Sequence, residues 1–559
     1  MLNLSSIPEL RRAIVVLGLF LLLVPFVVSA CITVESDLLA TPTPAPAAAS
    51  TEPDGSPTEA PIVTPTPIPT PEPTPEPVDA EVLGFVPYWL LEDATDTIDP
   101  SVLTIAAFHS VEASRDGRLV ARKPNGDVPG GWAALRTDGF TDLKRKLQSA
   151  GVKVVPVVQR TAWTDGTRDR AVELLSKKKN RRALVERITQ FVTERRFDGV
   201  NLDFEPIPPK VSDQYVLLVR ELRAAFDEVD PELHLSIDVV PGLENYDLEA
   251  LTADDAADLA VIMGYGYTTR DSAVPGSTAP LVGGTAGDLS TTVAGALEQT
   301  GGDGERLMLA LPWYGYDWPT QGDAAGAGVR SGKGLDDPST ATYETAVRSA
   351  VQGGRRYDTT QESAWTAYAT KSCSSCTPTW RQVWYDDPDS FGAKIGFALE
   401  QGLAGVGVWA PGMEGEREEM WWALRNQLRP MIDDSPPNGS PALDPVTVQG
   451  DIDGRDVIRG SASLRLFAAD ASDGSGLALV RVGLDGELDE DGRLLIGRSY
   501  PAVDRIEFPL ADEETGGSAE EGPRSIHVQW RDLAGNWSIP VVLEAHVLDP
   551  RTTATPADL

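Results

Sequence analysis

Two periods of hydrophobic patterning alternate along the middle of the chain. Eight apolar runs of strand length recur between residues 82 and 412: VLGFVPYW (Val82–Trp89), LTIAAFHS (Leu103–Ser110), VKVVPVVQ (Val152–Gln159), GVNLDFEP (Gly199–Pro206), LHLSIDVV (Leu233–Val240), LAVIMGYGY (Leu259–Tyr267), RLMLALPWYGY (Arg306–Tyr316) and GVGVWAPG (Gly405–Gly412). Between several of them the period changes to that of a helix. In RRALVERITQFVTERRF, Leu184, Ile188, Phe191 and Val192 fall on one face. Repeated strand and helix units of this kind predict an α/β fold, a (β/α)8 TIM barrel with insertions. An open doubly wound sheet is the alternative, but no glycine-rich phosphate loop follows the first strand.

The fourth run has an unusual face. Successive strand residues point to opposite sides, so Val200, Leu202 and Phe204 share one face and Asn201, Asp203 and Glu205 the other. In a barrel the apolar face meets the helices and the polar face points inward, with Glu205 highest, near the C-terminal rim where barrel enzymes carry out their chemistry. Buried carboxylates are costly without partners. The stack is therefore either an interior hydrogen-bonded ion cluster or a catalytic group. On the next strand, alternation puts His234, Ser236 and Asp238 on one face, which makes Asp238 a candidate second inward carboxylate for a conventional two-carboxylate glycosidase.

The pattern changes at both ends. Arg11 and Arg12 precede the apolar run Ala13–Ala30 and then Cys31, the layout of a secretory signal covering residues 1–30; an uncleaved signal anchor is the alternative. Residues 31–79 are rich in Pro and Thr and are expected to form an extended stalk rather than a core. The barrel is expected over 80–430 and a linker over 431–441, where the stretch DDSPPNGSPALDP begins at Asp433. Short strands with glycine-rich turns over 442–549, among them SLRLFAA, LALVRVGLD, SIHVQWRD and PVVLEAHVL, predict an all-β sandwich, with a disordered tail over 550–559.

Charge and composition narrow the chemistry. A formal net charge of -36 excludes nucleic acid as a partner. The four histidines, His109, His234, His527 and His546, have no metal-ligand spacing, and the acidic turns GDIDGRD and LDEDGR fail the EF-hand pattern, so no metal or cofactor is expected. Cys373 and Cys376 suit a small disulfide in an exported protein better than half of a zinc site. A monomer is expected.

Several motifs in order carry a family resemblance. DGVNLDFE (Asp198–Glu205) resembles the D-G-x-D-x-D-x-E signature of glycoside hydrolase family 18, the chitinase-like barrels, with Asn201 at its second aspartate as in the YaaH-like spore-cortex branch. VLGFVPYW, VIMGYGY, LALPWYGYDW and GVGVW resemble its first, M-x-Y-D, seventh and eighth strands. VSAC (Val28–Cys31) resembles the lipobox of bacterial lipoproteins, which implies lipidation at Cys31, a membrane tether and an extracytoplasmic location, and VQWRDLAGNWS resembles the D-x-A-G-N turn of immunoglobulin-like modules.

The resemblance implies hydrolysis of β-1,4-linked N-acetylglucosamine glycans, chitin-type or peptidoglycan. Glu205 matches the general acid and Asp203 the residue that orients the substrate acetamide, whose own oxygen attacks the sugar. Tyr265, with Met263 on the same face, matches the tyrosine that hydrogen-bonds the acetamide, and Trp409 matches the aromatic floor. Asn201 is expected to hydrogen-bond Asp203. Trp89 and Tyr314, with Trp313, Tyr316 and Trp318, are candidate sugar-stacking aromatics at strand ends. Gly266 stands where the family has the aspartate of M-x-Y-D, which keeps a weakly active or sugar-binding, lectin-like protein as the alternative.

Overall fold

The computed structural model describes residues 78–332, 337–371, 375–472 and 474–548. Cys31, Cys373, the leader, the stalk to residue 77 and the C-terminal tail lie outside them. Cys376 is disulfide-bonded.

The eight expected runs all form strands of one closed parallel barrel. Seven come first: β1 (Glu81–Pro87), β2 (Ile105–Glu112), β3 (Lys153–Thr161), β4 (Gly199–Glu205), β5 (His234–Val239), β6 (Leu259–Met263) and β7 (Leu307–Pro312). An insertion follows, containing β8 (Tyr314–Thr320), β9 (Ser339–Thr342), β10 (Arg356–Asp358), β11 (Ser363–Thr370) and β12 (Thr379–Tyr385); β13 (Gly405–Trp409) then closes the barrel against β1 and β7. Alternation sorts the side chains as its period requires. Leu83, Phe85, Ile105, Ala107, Val155 and Val157 pack together inside, and Val200, Leu202 and Phe204 join the much larger core between strands and helices.

The start of the signature strand is fixed by its own first two residues. Asp198 Oδ2 accepts hydrogen bonds from Gln148 Nε2 and the Val154 amide, both at 2.7 Å, and so ties β4 to β3 and its preceding helix. Gly199 has φ +148°, and a Cβ there would stand 2.0 Å from the His234 carbonyl oxygen. Asp-Gly thus sets the register, and the chemistry begins at Asn201.

One expected strand divides in two. RLMLALPWYGY breaks at Trp313, which is buried against Phe391 and Trp421 with ring centroids 5.9 and 4.8 Å away. Beyond it the chain leaves the barrel for an antiparallel sheet in the order β10-β11-β12-β8-β9. Trp318 is buried in this sheet's own core with Trp365 and Trp384. Trp313 and Trp318 are therefore packing residues and not sugar-stacking ones, because elements from far along the chain cover them: the helices Pro388–Glu400 and Glu419–Leu428 over Trp313, and strands β11 and β12 over Trp318. Lys394, with no exposed side-chain surface, pairs with buried Asp386 and donates to Ser363 Oγ, locking the helix Pro388–Glu400 to the insertion.

The C-terminal region folds as two sheets around one apolar core. One contains Asn438–Leu443, Ser461–Ala469 and Arg505–Pro509; the other has six strands, including Leu477–Gly483, Gly522–Asp532 and Val541–Leu548. The first strand begins at Asn438, inside the stretch read as linker. Among the described residues no helix is long and apolar enough to cross a membrane.

Candidate active site

The inward face of β4 builds the site. Asn201 is fully buried and donates through Nδ2 to Ser236 Oγ at 3.1 Å and to Asp238 Oδ1 at 2.8 Å, both on β5, and not to Asp203 as expected, because the side chains beside it on the neighbouring strand are nearer than the next inward residue of its own. Asp203, also buried, lies with Oδ2 3.4 Å from His109 Nε2. The His109 ring stands edge-on to Trp409 and Trp89, with centroids 5.0 and 5.8 Å away. Glu205 is the last residue of β4 and partly exposed. Burial, reinforced by the negative charge of Asp203, pushes its carboxyl up to about 8, against the opposing effect of a hydrogen bond with Trp163. A carboxyl that keeps its proton at neutral pH and reaches the rim can act as a general acid.

Aromatic residues surround this stack. Trp409 packs on Phe85 at 5.6 Å and faces Tyr265 at 6.4 Å, so it forms a floor between β13 and β1. Tyr265 lies just past the end of β6, edge-on to Tyr314 at 6.1 Å. Its hydroxyl is held well above the ordinary tyrosine range by burial, then by Tyr314 and the neighbouring carboxyl groups of Asp238, Glu205 and Asp203, which keeps it a neutral donor. Tyr314 bonds Thr278 and is pushed up by burial in the same way. Met263 ends β6 opposite Ala310 and is half-buried. Trp89 is 52% exposed and edge-on to Tyr88. Asn201, Asp203, Glu205, Tyr265, Trp409, Trp89 and Tyr314 thus gather at one end of the barrel.

Two residues of the site were not singled out from the sequence. His109 looked like an isolated histidine, because its partner Asp203 comes from β4. Trp163 in QRTAWTDG was also passed over, although an aromatic just beyond a barrel strand is the same signal that marked Trp89. It is 59% exposed and bonds Glu205.

Gly266 has φ +88°, and a Cβ there would meet nothing within 4 Å. It borders a cleft of about 980 Å³ with Trp163, Pro206, Ile207, Leu243 and Tyr267. This cleft adjoins the catalytic end of β4 without including Glu205 itself. The glycine therefore leaves space at the rim where an acidic side chain would narrow it.

The profile of glycosyl hydrolases family 18 matches residues 81–414, the whole barrel with its insertion. The chain belongs to this family. It is 28% identical over 243 residues to probable di-N-acetylchitobiase 1 of Dictyostelium discoideum, an alignment covering 38% of this chain and 61% of that one. A Bacillus subtilis (strain 168) protein, YdhD, whose name assigns it provisionally to sporulation-specific glycosylases, is 23% identical over 295 residues, covering 51% of this chain and 62% of its own length. This chain thus spans less than two thirds of either relative. A family 18 chitinase from Cycas revoluta, solved with (GlcNAc)3, shares the barrel fold with a TM-score of 0.51 at 22% identity, over 62% of this chain and 99% of its own.

Proposed function

We propose that the protein is a retaining glycosidase that cleaves β-1,4-linked N-acetylglucosamine polymers, chitin-type or peptidoglycan, by substrate-assisted hydrolysis. The observation that carries this reading is the Glu205 carboxyl raised to about 8 above the charge of Asp203. Glu205 donates its proton to the leaving glycosidic oxygen as that bond breaks. The acetamide oxygen of the same sugar attacks the anomeric carbon from the opposite side, while Asp203 orients the acetamide and stabilises the positive oxazolinium ring. Water, deprotonated by Glu205, then opens the ring, so configuration is retained. Tyr265 donates to the acetamide, Trp409 supports the sugar from below, and Trp89, Tyr314 and Met263 line the approach.

Purified protein incubated with chitin oligomers and, separately, with peptidoglycan, read by mass spectrometry, tests the reading and chooses between the substrates. Glu205→Gln is expected to abolish cleavage and retain oligosaccharide binding. Binding without cleavage by the wild type, at any pH from about 4 to 8, supports the second reading, a lectin-like protein, which the missing carboxylate at Gly266 favours. For location we infer an extracytoplasmic monomer tethered by lipid on Cys31, with an immunoglobulin-like C-terminal module; metabolic labelling with palmitate, lost in Cys31→Ser, checks the tether.

A further inference from the structure

One carboxyl group in the stack has no part in the mechanism above. Asp238 is only 2% exposed, and the hydrogen bond described for it comes from Asn201. Asn201 and Ser236 are partners in the β4–β5 register. Asp203 and Asp238 each follow two residues later, so both point inward from neighbouring strands about 5 Å apart. Glu205 stands above them on β4. The other titratable groups that sense Asp238 are Tyr265 beyond β6 and, toward the helices, Tyr215 and Tyr246. None of these described groups is a cation.

A carboxyl buried beside two others, with no cation against it among the described residues (His109 meets Asp203 instead), favours its neutral form. Burial and the charge of Asp203 hold Asp238 well above the ordinary carboxylate range. Asn201 Oδ1 and Asp203 Oδ1 are both buried without a hydrogen-bond partner, which is costly. A neutral Asp238 relieves this. Half a turn of the Asn201 amide lets its oxygen accept from the Asp238 hydroxyl and from Ser236, and frees its NH2 for an acceptor on the side where the oxygen now has no partner.

We propose that Asp238 is a positioning residue of the catalytic stack: a neutral carboxyl on β5 that supplies the acid group the amide at position 201 lacks, fixing Asn201 and through it Asp203 beneath the reacting sugar. The acid group has in effect moved to the neighbouring strand. Asp203 is then the one anion under the sugar, where the positive charge develops. This rests on the glycosidase reading.

The test compares wild type, Asp238→Leu, Asp238→Asn and the exchange variant Asn201→Asp/Asp238→Asn on tetra-N-acetylchitotetraose, with kcat and KM followed from about pH 4 to 9. Asp238→Leu is expected to lower kcat by about tenfold or more with little change in KM. Asp238→Asn, which keeps a neutral hydrogen-bonding group, recovers most of that loss, as does the exchange variant, with the same alkaline limb. If Asp238→Asn is as damaging as Asp238→Leu, the group works as an anion and the proposal fails. If Asp238→Leu is harmless, Asp238 is a spectator and the proposal also fails. The infrared difference spectrum of wild type against Asp238→Asn at about pH 7 decides the charge state without turnover. It is expected to show loss of a protonated-carboxyl band; loss of a carboxylate band overturns the proposal. A wild type that cleaves nothing sinks the glycosidase reading and leaves the infrared result to decide Asp238.

Discussion

Glu205 is held in its acid form by two effects that are separable by mutation, burial and the neighbouring charge of Asp203. An acid catalyst must carry its proton, so kcat/KM is expected to fall as pH rises through about 8, the value to which the Glu205 carboxyl is pushed. Asp203→Asn removes the like charge. It should lower the Glu205 titration even though it also impairs catalysis, and carboxyl-carbon NMR of Glu205 reads the shift directly; no movement would mean that burial alone sets it. The same shift bears on folding. A carboxyl raised from 4.5 to about 8 binds its proton more tightly in the native state, so its contribution to stability diminishes as pH rises from about 4.5 to 8 and stays diminished above. Glu205→Gln should therefore stabilise the fold by about 2 kcal/mol near neutral pH. The gain should shrink toward pH 4.5 in thermal melts, the unshifted value.

At the scale of elements, the site depends on the register of β4 against β5. Gly199→Ala places a Cβ against the His234 carbonyl at 2.0 Å and requires the unfavourable φ of +148°. A loss of about 3 kcal/mol or more in denaturant unfolding is expected, and activity should fall with it because Asp203 and Glu205 shift together. The eight barrel strands were legible because each is a short apolar run whose alternation survives burial on both faces. Asn201, Asp203 and Glu205 were legible because polar residues interrupt that pattern on one face only. Strands β8 to β12 were not, since they belong to a sheet held by partners distant in sequence and the apolar positions of β8 continue the rhythm of β7. The burial of Trp313 and Trp318 was hidden for the same reason. His109 acquires meaning only when the barrel brings β2 and β4 within reach of each other. The insertion is joined to the last barrel unit by the buried Lys394–Asp386 pair. Lys394→Met alone should cost about 3–5 kcal/mol by leaving a buried carboxylate unpaired, and Lys394→Met/Asp386→Leu should recover most of it. A double variant no better than the single would place the cost in lost packing.

The C-terminal sandwich is fastened to the catalytic unit at several points. Asp389, in the first turn of the helix that precedes β13, accepts from Arg531 of the sandwich at 2.5 and 2.6 Å and from Arg355 of the insertion at 2.7 Å. Arg417 donates to the Ala502 carbonyl at 2.8 Å, Asn426 to the Ser475 carbonyl at 2.9 Å, and the Arg355 amide to the Ser499 carbonyl at 2.7 Å. A module attached only by a linker would sample many orientations. Here a carboxylate shared by two guanidinium groups joins sandwich, insertion and barrel helix, with half or more of each side chain shielded from water. Calorimetry of the wild type is therefore expected to show barrel and sandwich unfolding in one transition. Asp389→Ala leaves both arginines without this partner and should weaken the coupling by about 2 kcal/mol, separating the two transitions, while Arg531→Ala, which preserves the Arg355 link, should have a smaller effect. Because the helix that carries Asp389 leads into β13 and Trp409, loosening it should also raise KM for long oligosaccharides. Separated transitions with unchanged KM would assign the sandwich a purely stabilising contact, whereas a single unchanged transition would locate the coupling in the backbone contacts instead.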